Sequence, residues 1–288
     1  MRSFHHILGE LAGIFLLMFL GGISLGFYYM ETRQLTPPDL LRTLHPPALD
    51  TASDYLGVPF PMRSRADLYP LATWEEDLLF PPTANLNLQS TSEEVTFVEE
   101  DRNDIRVVYH REYPDTRSYG LAFTSYVEED TLYVKSSMKV KNLILNRDYH
   151  GSLQIHVPAG HSFENITVHS KWGDVDLQLT DPLESLRCYN DMGTLRIHAE
   201  GSIGNVRLDS RMGNIEAFFL GPVTEGHMHT EFGLLQVVLH HSPPLPPYLH
   251  TGKGTIHSDF PYTRSRTGDL QFSTGTGNIL LLDGSKME

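Results

Sequence analysis

Histidines and carboxylates recur at matched offsets, and these residue types have chemistry to offer. His169, His229 and His250 each stand four residues before a glycine, at Gly173, Gly233 and Gly254. If those glycines mark equivalent bends of a stacked strand repeat, the imidazoles share one outward column, with Tyr189 and Asp209 between. Neighbouring strands lie ~4.8 Å apart. His229 and His250, from consecutive units, are therefore expected side by side. Two imidazoles at that spacing are half of a metal site, and His227 is the evident third ligand. A metal needs three or four ligands held by supporting hydrogen bonds. The competing expectation is a polar outer ladder with no metal, and it is the one adopted.

A second column lies three residues after each glycine: Asp176, Arg196, Glu216, Gln236 and His257. Asp176 and Glu216 would stand two units apart, about 9.6 Å, a separation that fits the paired carboxylates of an inverting glycosidase. With Arg196 between them, the same residues also make an alternating charge ladder that stabilises a sheet without catalysis. No P-loop, H-E-x-x-H, dinucleotide fingerprint or calcium loop supports a catalyst. Gly22-Ile23-Ser24-Leu25-Gly26 matches the G-x-S-x-G nucleophile pattern, but that motif needs a strand-turn-helix setting. Here it falls in an apolar run. The single cysteine, Cys188, shares a column with Val168 and Leu208, so a buried hydrophobe is expected rather than a reactive thiol. Asn165-Ile166-Thr167 is a glycosylation sequon, and no glycan is expected on it. The expectation is a non-enzymatic chain without catalytic residues, metal or cofactor.

The elements that would position these columns follow from the glycines themselves. Gly173, Gly193, Gly213, Gly233, Gly254 and Gly277 recur at intervals of 20, 20, 20, 21 and 23 residues, a fixed period that marks a repeat architecture. Two residues after each come Val175, Leu195, Ile215, Leu235, Ile256 and Ile279. Five before come Val168, Cys188, Leu208, Met228, Leu249 and Phe272. Three before come Ser170, Asn190, Ser210, Thr230, Thr251 and Thr274. Alternating apolar positions on both sides of a bend mean two short half-buried strands per unit. One unit cannot bury its apolar face alone, but a stack makes a continuous core. The expected fold is all-β, a β-solenoid-like stack of ~20-residue strand-turn-strand repeats, preceded by one transmembrane helix. "STGTGNILLLD", Ser273–Asp283, reads as the last unit.

The longer intervals mark inserted loops. "HSPPLPP", His241–Pro247, is rigid and contains a chance P-x-x-P match. "PYTRSRTG", Pro261–Gly268, carries Tyr262, Arg264 and Arg266. Loops on a rigid scaffold often bind partners, so these three residues are the candidate binding residues. Upstream, Glu94–Tyr109 and Leu121–Ser137 alternate like hairpin strands, the first around Asn103-Asp104. They are expected to begin the same sheet and to cap it.

The N-terminal third differs. Leu11–Met30 is twenty residues without a charge, about 30 Å as a helix, enough to span a bilayer. Tyr28 and Tyr29 suit an interfacial belt; small residues stand near the end of the run, but the bulky Phe27, Tyr28 and Tyr29 follow with no clear A-x-A cleavage site. An uncleaved anchor is preferred over a signal peptide or a buried core helix. Charges flanking it are nearly balanced. A short N-tail before a long folded domain favours an extracytoplasmic domain. Gly22 and Gly26 fit the G-x-x-x-G spacing for close helix packing, which is compatible with a homo-oligomer. Residues 31–90 hold nine of the eighteen prolines and read as an extended stalk, with "TWEEDLLF", Thr73–Phe80, a candidate short helix. The organisation expected is tail and transmembrane helix 1–30, stalk 31–90, and repeat domain 91–285.

A net charge of −14 over 288 residues, with a pI near 5.5, argues against nucleic acid as a partner. The stretch "LQIHVPAGHSFENITVHSKWGDVDL", Leu153–Leu177, resembles the bacterial putative-adhesin β-strand-repeat family. The match is an aliphatic strand ending Val157-Pro158-Ala159-Gly160, then Ser170-Lys171-Trp172-Gly173-Asp174-Val175. The later rungs and "TGTGNILL" extend the resemblance over residues 90–283. Asp174 is the one repeat glycine follower that is an aspartate, a departure from the family pattern. The resemblance implies an envelope-associated all-β domain behind a membrane segment, and it brings no catalytic residues. The expected function is a membrane-anchored, non-enzymatic surface or envelope interaction or sensing protein, with an envelope glycan or a surface protein as partner. The alternatives are a cytoplasmic-facing scaffold assembling through the repeat domain, and a glycan-active enzyme using Asp176 and Glu216.

Overall fold

The computed structural model describes residues 71–114, 119–140, 151–265 and 268–286. The expected membrane span Leu11–Met30, and the stalk up to residue 70, lie outside these residues. Among the described residues no helix is long and apolar enough to cross a membrane. The described chain is all-β, ending in a 3-10 turn at Gly284–Lys286.

Seven strands build one end: β1 (Leu71–Phe80), β2 (Asn85–Ser90), β3 (Glu94–Glu100), β4 (Ile105–Pro114), β5 (Tyr119–Glu128), β6 (Thr131–Val140) and β7 (Gly151–Pro158). Twelve more come as strand-bend-strand pairs. These are β8 (Asn165–Trp172) with β9 (Val175–Leu179), β10 (Leu183–Met192) with β11 (Leu195–Ala199), and β12 (Ile203–Met212) with β13 (Ile215–Phe219). They continue as β14 (Val223–Phe232) with β15 (Leu235–Leu239), β16 (Tyr248–Lys253) with β17 (Ile256–Ser258), and β18 (Leu270–Thr276) with β19 (Ile279–Asp283). Each pair is one rung, and its two strands belong to different sheets. One sheet runs β16-β18-β14-β12-β10-β8-β2-β6-β5, the other β1-β4-β7-β3-β9-β11-β13-β15-β19-β17. From β2 and β3 onward the pairing is parallel and in register, so Val168, Cys188 and Leu208 align, as do Val175, Leu195 and Ile215. These inward columns from both sheets form one core. Cys188 is fully buried in it, and burial pushes its thiol pKa up.

The bend explains the glycine. At Gly213 φ is +155°, and a Cβ there would sit 1.9 Å from the Gly193 carbonyl oxygen. Rungs therefore approach closely only where no side chain intervenes. The small polar residue three positions earlier satisfies the bend carbonyls. Asn190 Nδ2 donates to the Gly173 carbonyl at 3.0 Å, and Thr230 Oγ1 to that of Gly213 at 2.9 Å.

Four differences from the sequence expectation stand out. First, the sheets begin at Leu71, inside the segment assigned to the stalk, and Thr73–Phe80 is strand β1 rather than a helix. Its Trp74, Glu76, Leu78 and Phe80 are half-buried while Thr73, Glu75, Asp77 and Leu79 are exposed. That is the period of a strand. Second, β3 and β4 do not form a hairpin: β7 lies between them, parallel to β3 and antiparallel to β4. β5 and β6 do pair as a hairpin, turning at Glu129 and Asp130, whose φ values are +47° and +59°. Third, the stack starts one rung earlier than the glycines suggest. Val95 aligns with Val175 and Ser90 with Ser170. Glu93 thus takes the glycine's place, its carbonyl lying where a Cβ of Gly173 would collide, at 2.4 Å.

Fourth, the rungs do not stack in chain order. β18 pairs with β14 on one side and β16 on the other, and β19 likewise separates β15 from β17. The C-terminal rung is penultimate in space. Loop length permits this. Residues 180–182, 200–202 and 220–222 join successive rungs with three residues, but 240–247 and 259–269 supply eight and eleven. The first long loop skips a rung position and the second returns to fill it. The two insertions thus set the topology of the stack.

Candidate functional site

The outward face of the nine-stranded sheet is concave across β6, β2, β8, β10, β12 and β14, forming a groove of about 840 Å³. Five inter-strand steps make it about 24 Å long. Its floor is the small polar column at the bend: Ser136, Ser90, Ser170, Asn190 and Ser210. These side chains are small because the column faces the bend carbonyls, and they leave a trough between the residues on either side. One wall is Gln89, His169, Tyr189, Asp209 and His229. The other is Lys171, Asp191, Arg211 and Glu231. Both walls come from alternate positions on parallel strands, so the side chains repeat at the strand spacing.

His169 stacks on Tyr189 with ring centroids 4.6 Å apart and planes at 19°. Desolvation holds the His169 pKa below the ordinary histidine range. The Arg207 guanidinium stands 5.6 Å from the Tyr189 ring centre and pairs with Asp209 at 2.8 Å. Arg211 reaches Asp191 at 3.5 Å. The next column, Met192, Met212 and Phe232, is exposed although apolar. Aromatic faces, amides, hydroxyls and paired charges in a shallow trough make hydrogen bonds and stacking contacts.

Beneath one end of the groove lies a buried ion pair that sequence reasoning missed. Glu93 and Arg111 are fully buried and in contact. Ser90 Oγ donates to Glu93 at 2.8 Å and Ser136 Oγ at 2.5 Å, as do the backbone N–H groups of Thr91 and Ser92, both at 3.0 Å. Burial opposes ionisation of Glu93. The Arg111 charge and the hydrogen bonds from Ser136, Ser92 and Ser90 outweigh it and hold the carboxyl below the usual range. Tyr109, its hydroxyl 3.4 Å from Glu93, has its pKa pushed up to about 12 by burial and by the Glu93 charge. Rings of Trp74, Tyr109 and Phe123 then bridge the two sheets, at 5.8 and 4.4 Å. No local pattern around "HREYP" signals that Arg111 is internal. Its partner occupies a repeat position eighty residues upstream of the first repeat glycine.

The expected histidine pair does not form. Ser273 stands between His229 and His250 in the column, and its hydroxyl lies 2.9 Å from His229 Nδ1. The interposed C-terminal rung separates the two imidazoles by two steps, about 9.6 Å. Among the described residues no cluster of three His, Cys, Asp or Glu side chains could hold a metal. The expected carboxylate pair lies on the other sheet, outside the groove. Arg196 falls between Asp176 and Glu216 in register, 3.5 Å from Glu216 and 3.0 Å from Asp174. The guanidinium thus links Asp174 and Glu216 across neighbouring strands, a charge-ladder arrangement. Tyr262 and Arg264 are exposed beside the terminal rung, where Thr263 bridges to Tyr248. They do not reach the groove, and Arg266 lies outside the described residues.

No protein-family model matches the sequence, and no curated protein matches it. Solved structures similar to the chain include a putative cell adhesion protein from Clostridium sporogenes, at 12% identity over 74% of this chain and 100% of that one, with a TM-score of 0.43. A putative adhesin from Bacteroides fragilis aligns at 13% identity over 73% of this chain and 97% of that one, TM-score 0.35. A putative lipid binding protein from Parabacteroides distasonis aligns at 10% identity over 72% and 96%, TM-score 0.33.

Proposed function

We propose that the chain is a non-enzymatic surface or envelope interaction protein. It would display a rigid β-solenoid stack behind an N-terminal membrane span at Leu11–Met30, with the stack outside the cytoplasm. The ligand would be an extended glycan lying along the groove. The observation that carries this reading is the groove itself. It crosses six strands at a spacing of ~4.8 Å, close to the advance of one pyranose ring along an extended chain. It presents the stacked pair His169 and Tyr189 beside amides and hydroxyls. Sugar rings offer apolar faces and hydroxyl edges, which such a surface matches.

The experiment is a panel of immobilised oligosaccharides probed with the full chain and with Tyr189→Ala. Binding that falls at least tenfold in the variant, with the far-ultraviolet circular dichroism unchanged, supports the reading. No binding to any glycan sinks it. Arg264→Ala with Arg266→Ala in the same panel tests the loop that the sequence nominates with Tyr262. A loss there and not at Tyr189 moves the site to that loop. Protease shaving of intact cells carrying a tag after Glu288 tests the orientation. A second reading, a scaffold assembling through its ends, draws on the exposed backbone of Gly252–Thr255 at the terminal rung. It predicts polymers of the purified chain.

A further inference from the structure

The groove is electrically polar along its length. The half built from β2, β6 and β8 presents Lys135 and Lys171 and no carboxylate. The half built from β10, β12 and β14 presents Asp191, Asp209 and Glu231, of which Asp191 is paired with Arg211 and Asp209 with Arg207, leaving Glu231. The wall column makes the point most simply: in register it reads Lys171, Asp191, Arg211, Glu231. Its middle pair is joined at 3.5 Å, which leaves Lys171 and Glu231 as uncompensated ends. Arg102, Arg106, Arg196 and Arg207 each hold a carboxylate at 3.1 Å or closer. Lys135 and Lys171 are exposed and have no ion-pair partner among the described residues.

The ionised Glu93 below this half is already neutralised by Arg111. Its field does not cancel the lysines. Such a half-site attracts an anion, and the opposite half repels one. A uniformly acidic polymer would gain at one end and lose at the other, as would a uniformly basic one. We infer that the groove takes a glycan carrying both charges, with an acidic group at the Lys135 and Lys171 half and an amino group over Glu231. Lys171 and Glu231 are three strand steps apart, about 14 Å, so the two groups sit on sugars roughly three units apart. The inference rests on the groove reading and specifies its ligand class. It also fixes the direction in which the chain lies.

Titration calorimetry on the full chain tests it with four hexasaccharide probes. These are partially N-deacetylated hyaluronan, which carries carboxylate and amine, intact hyaluronan, fully deacetylated chitosan, and neutral N-acetylated chitohexaose. The doubly charged probe is expected to bind about tenfold more tightly than any other, the scale of two screened ion contacts. Lys171→Gln and Glu231→Gln, both at exposed positions, are each expected to remove much of that preference while leaving chitohexaose binding unchanged. Equal affinity for singly and doubly charged probes overturns the inference. So does a preference that survives both substitutions. Chitohexaose binding that is lost in Tyr189→Ala would then leave the groove reading standing without it. If no sugar binds but a peptide alternating Lys and Glu does, the glycan class is wrong and both conclusions fall.

Discussion

Replacing Arg111 with methionine should be among the most damaging single changes outside the glycine column. Arg111 and Glu93 are fully buried, and the guanidinium is the only cation in contact with that carboxylate among the described residues. Arg111→Met leaves a buried carboxylate without its counter-charge, which costs about 3–5 kcal/mol in comparable settings. For a folded unit of this size each kcal/mol moves the melting temperature by about 2–4 °C, so the expected loss is roughly 10 °C. Glu93→Gln should cost a similar amount by stranding the guanidinium. The double change, Glu93→Gln with Arg111→Met, removes both charges and keeps an acceptor for the Thr91 and Ser92 N–H groups. It should lie within about 1–2 kcal/mol of the parent.

The pH dependence has a definite sign. The folded-state pKa of Glu93 is held below its ordinary value of 4.5, so the stabilisation is fully present above that value and is lost as pH falls through the depressed one. Thermal melts between pH 7 and pH 2 should therefore show an acid-side decline that is shallower in the double variant. The reasoning fails if Arg111→Met costs under about 1 kcal/mol, or if the double variant is no better than the singles.

Gly213→Ala should abolish the folded stack, because its Cβ meets backbone 1.9 Å away. Gly160→Ala, at φ +73° with nothing within 4 Å, should cost only about 1 kcal/mol of backbone strain; circular dichroism and melting separate the two. Oxidised His229→Cys with Ser273→Cys should close an intrachain disulfide, since the two are register partners. His229→Cys with His250→Cys should not, at two strand steps, beyond the roughly 7 Å limit between Cα atoms. Mass spectrometry without reductant reads both, and the reverse pattern would restore chain order to the rungs. Thr230→Val strands the Gly213 carbonyl, leaving it only the longer 3.4 Å bond from Ser210, and should cost about 1–2 kcal/mol in denaturant melts.

The repeat was legible in the sequence because its determinants are local and periodic. Apolar residues at alternate positions specify the strands. The glycine and the small polar residue three before it specify the bend. Val168, Cys188 and Leu208, or Val175, Leu195 and Ile215, are core residues for reasons written within each twenty-residue unit. The polar outer ladder of His169, Tyr189 and Asp209 was legible on the same grounds. What it encloses was not: a groove depends on how neighbouring strands curve, which no single unit specifies. The buried Glu93–Arg111 pair was equally hidden, since its members meet only when β4 and β6 fold over the first rung.

Rung order was the other property left to the tertiary structure. Each repeat rung presents the same backbone edge, the same glycine and a small polar side chain at the bend, so the rungs are interchangeable neighbours. Sequence periodicity therefore determines that the chain stacks and what it buries. Three-residue connections allow only the next position, whereas those of eight and eleven residues allow the C-terminal rung to enter between its predecessors. That choice places Ser273 between His229 and His250, and so decides which side chains are neighbours on the outer face.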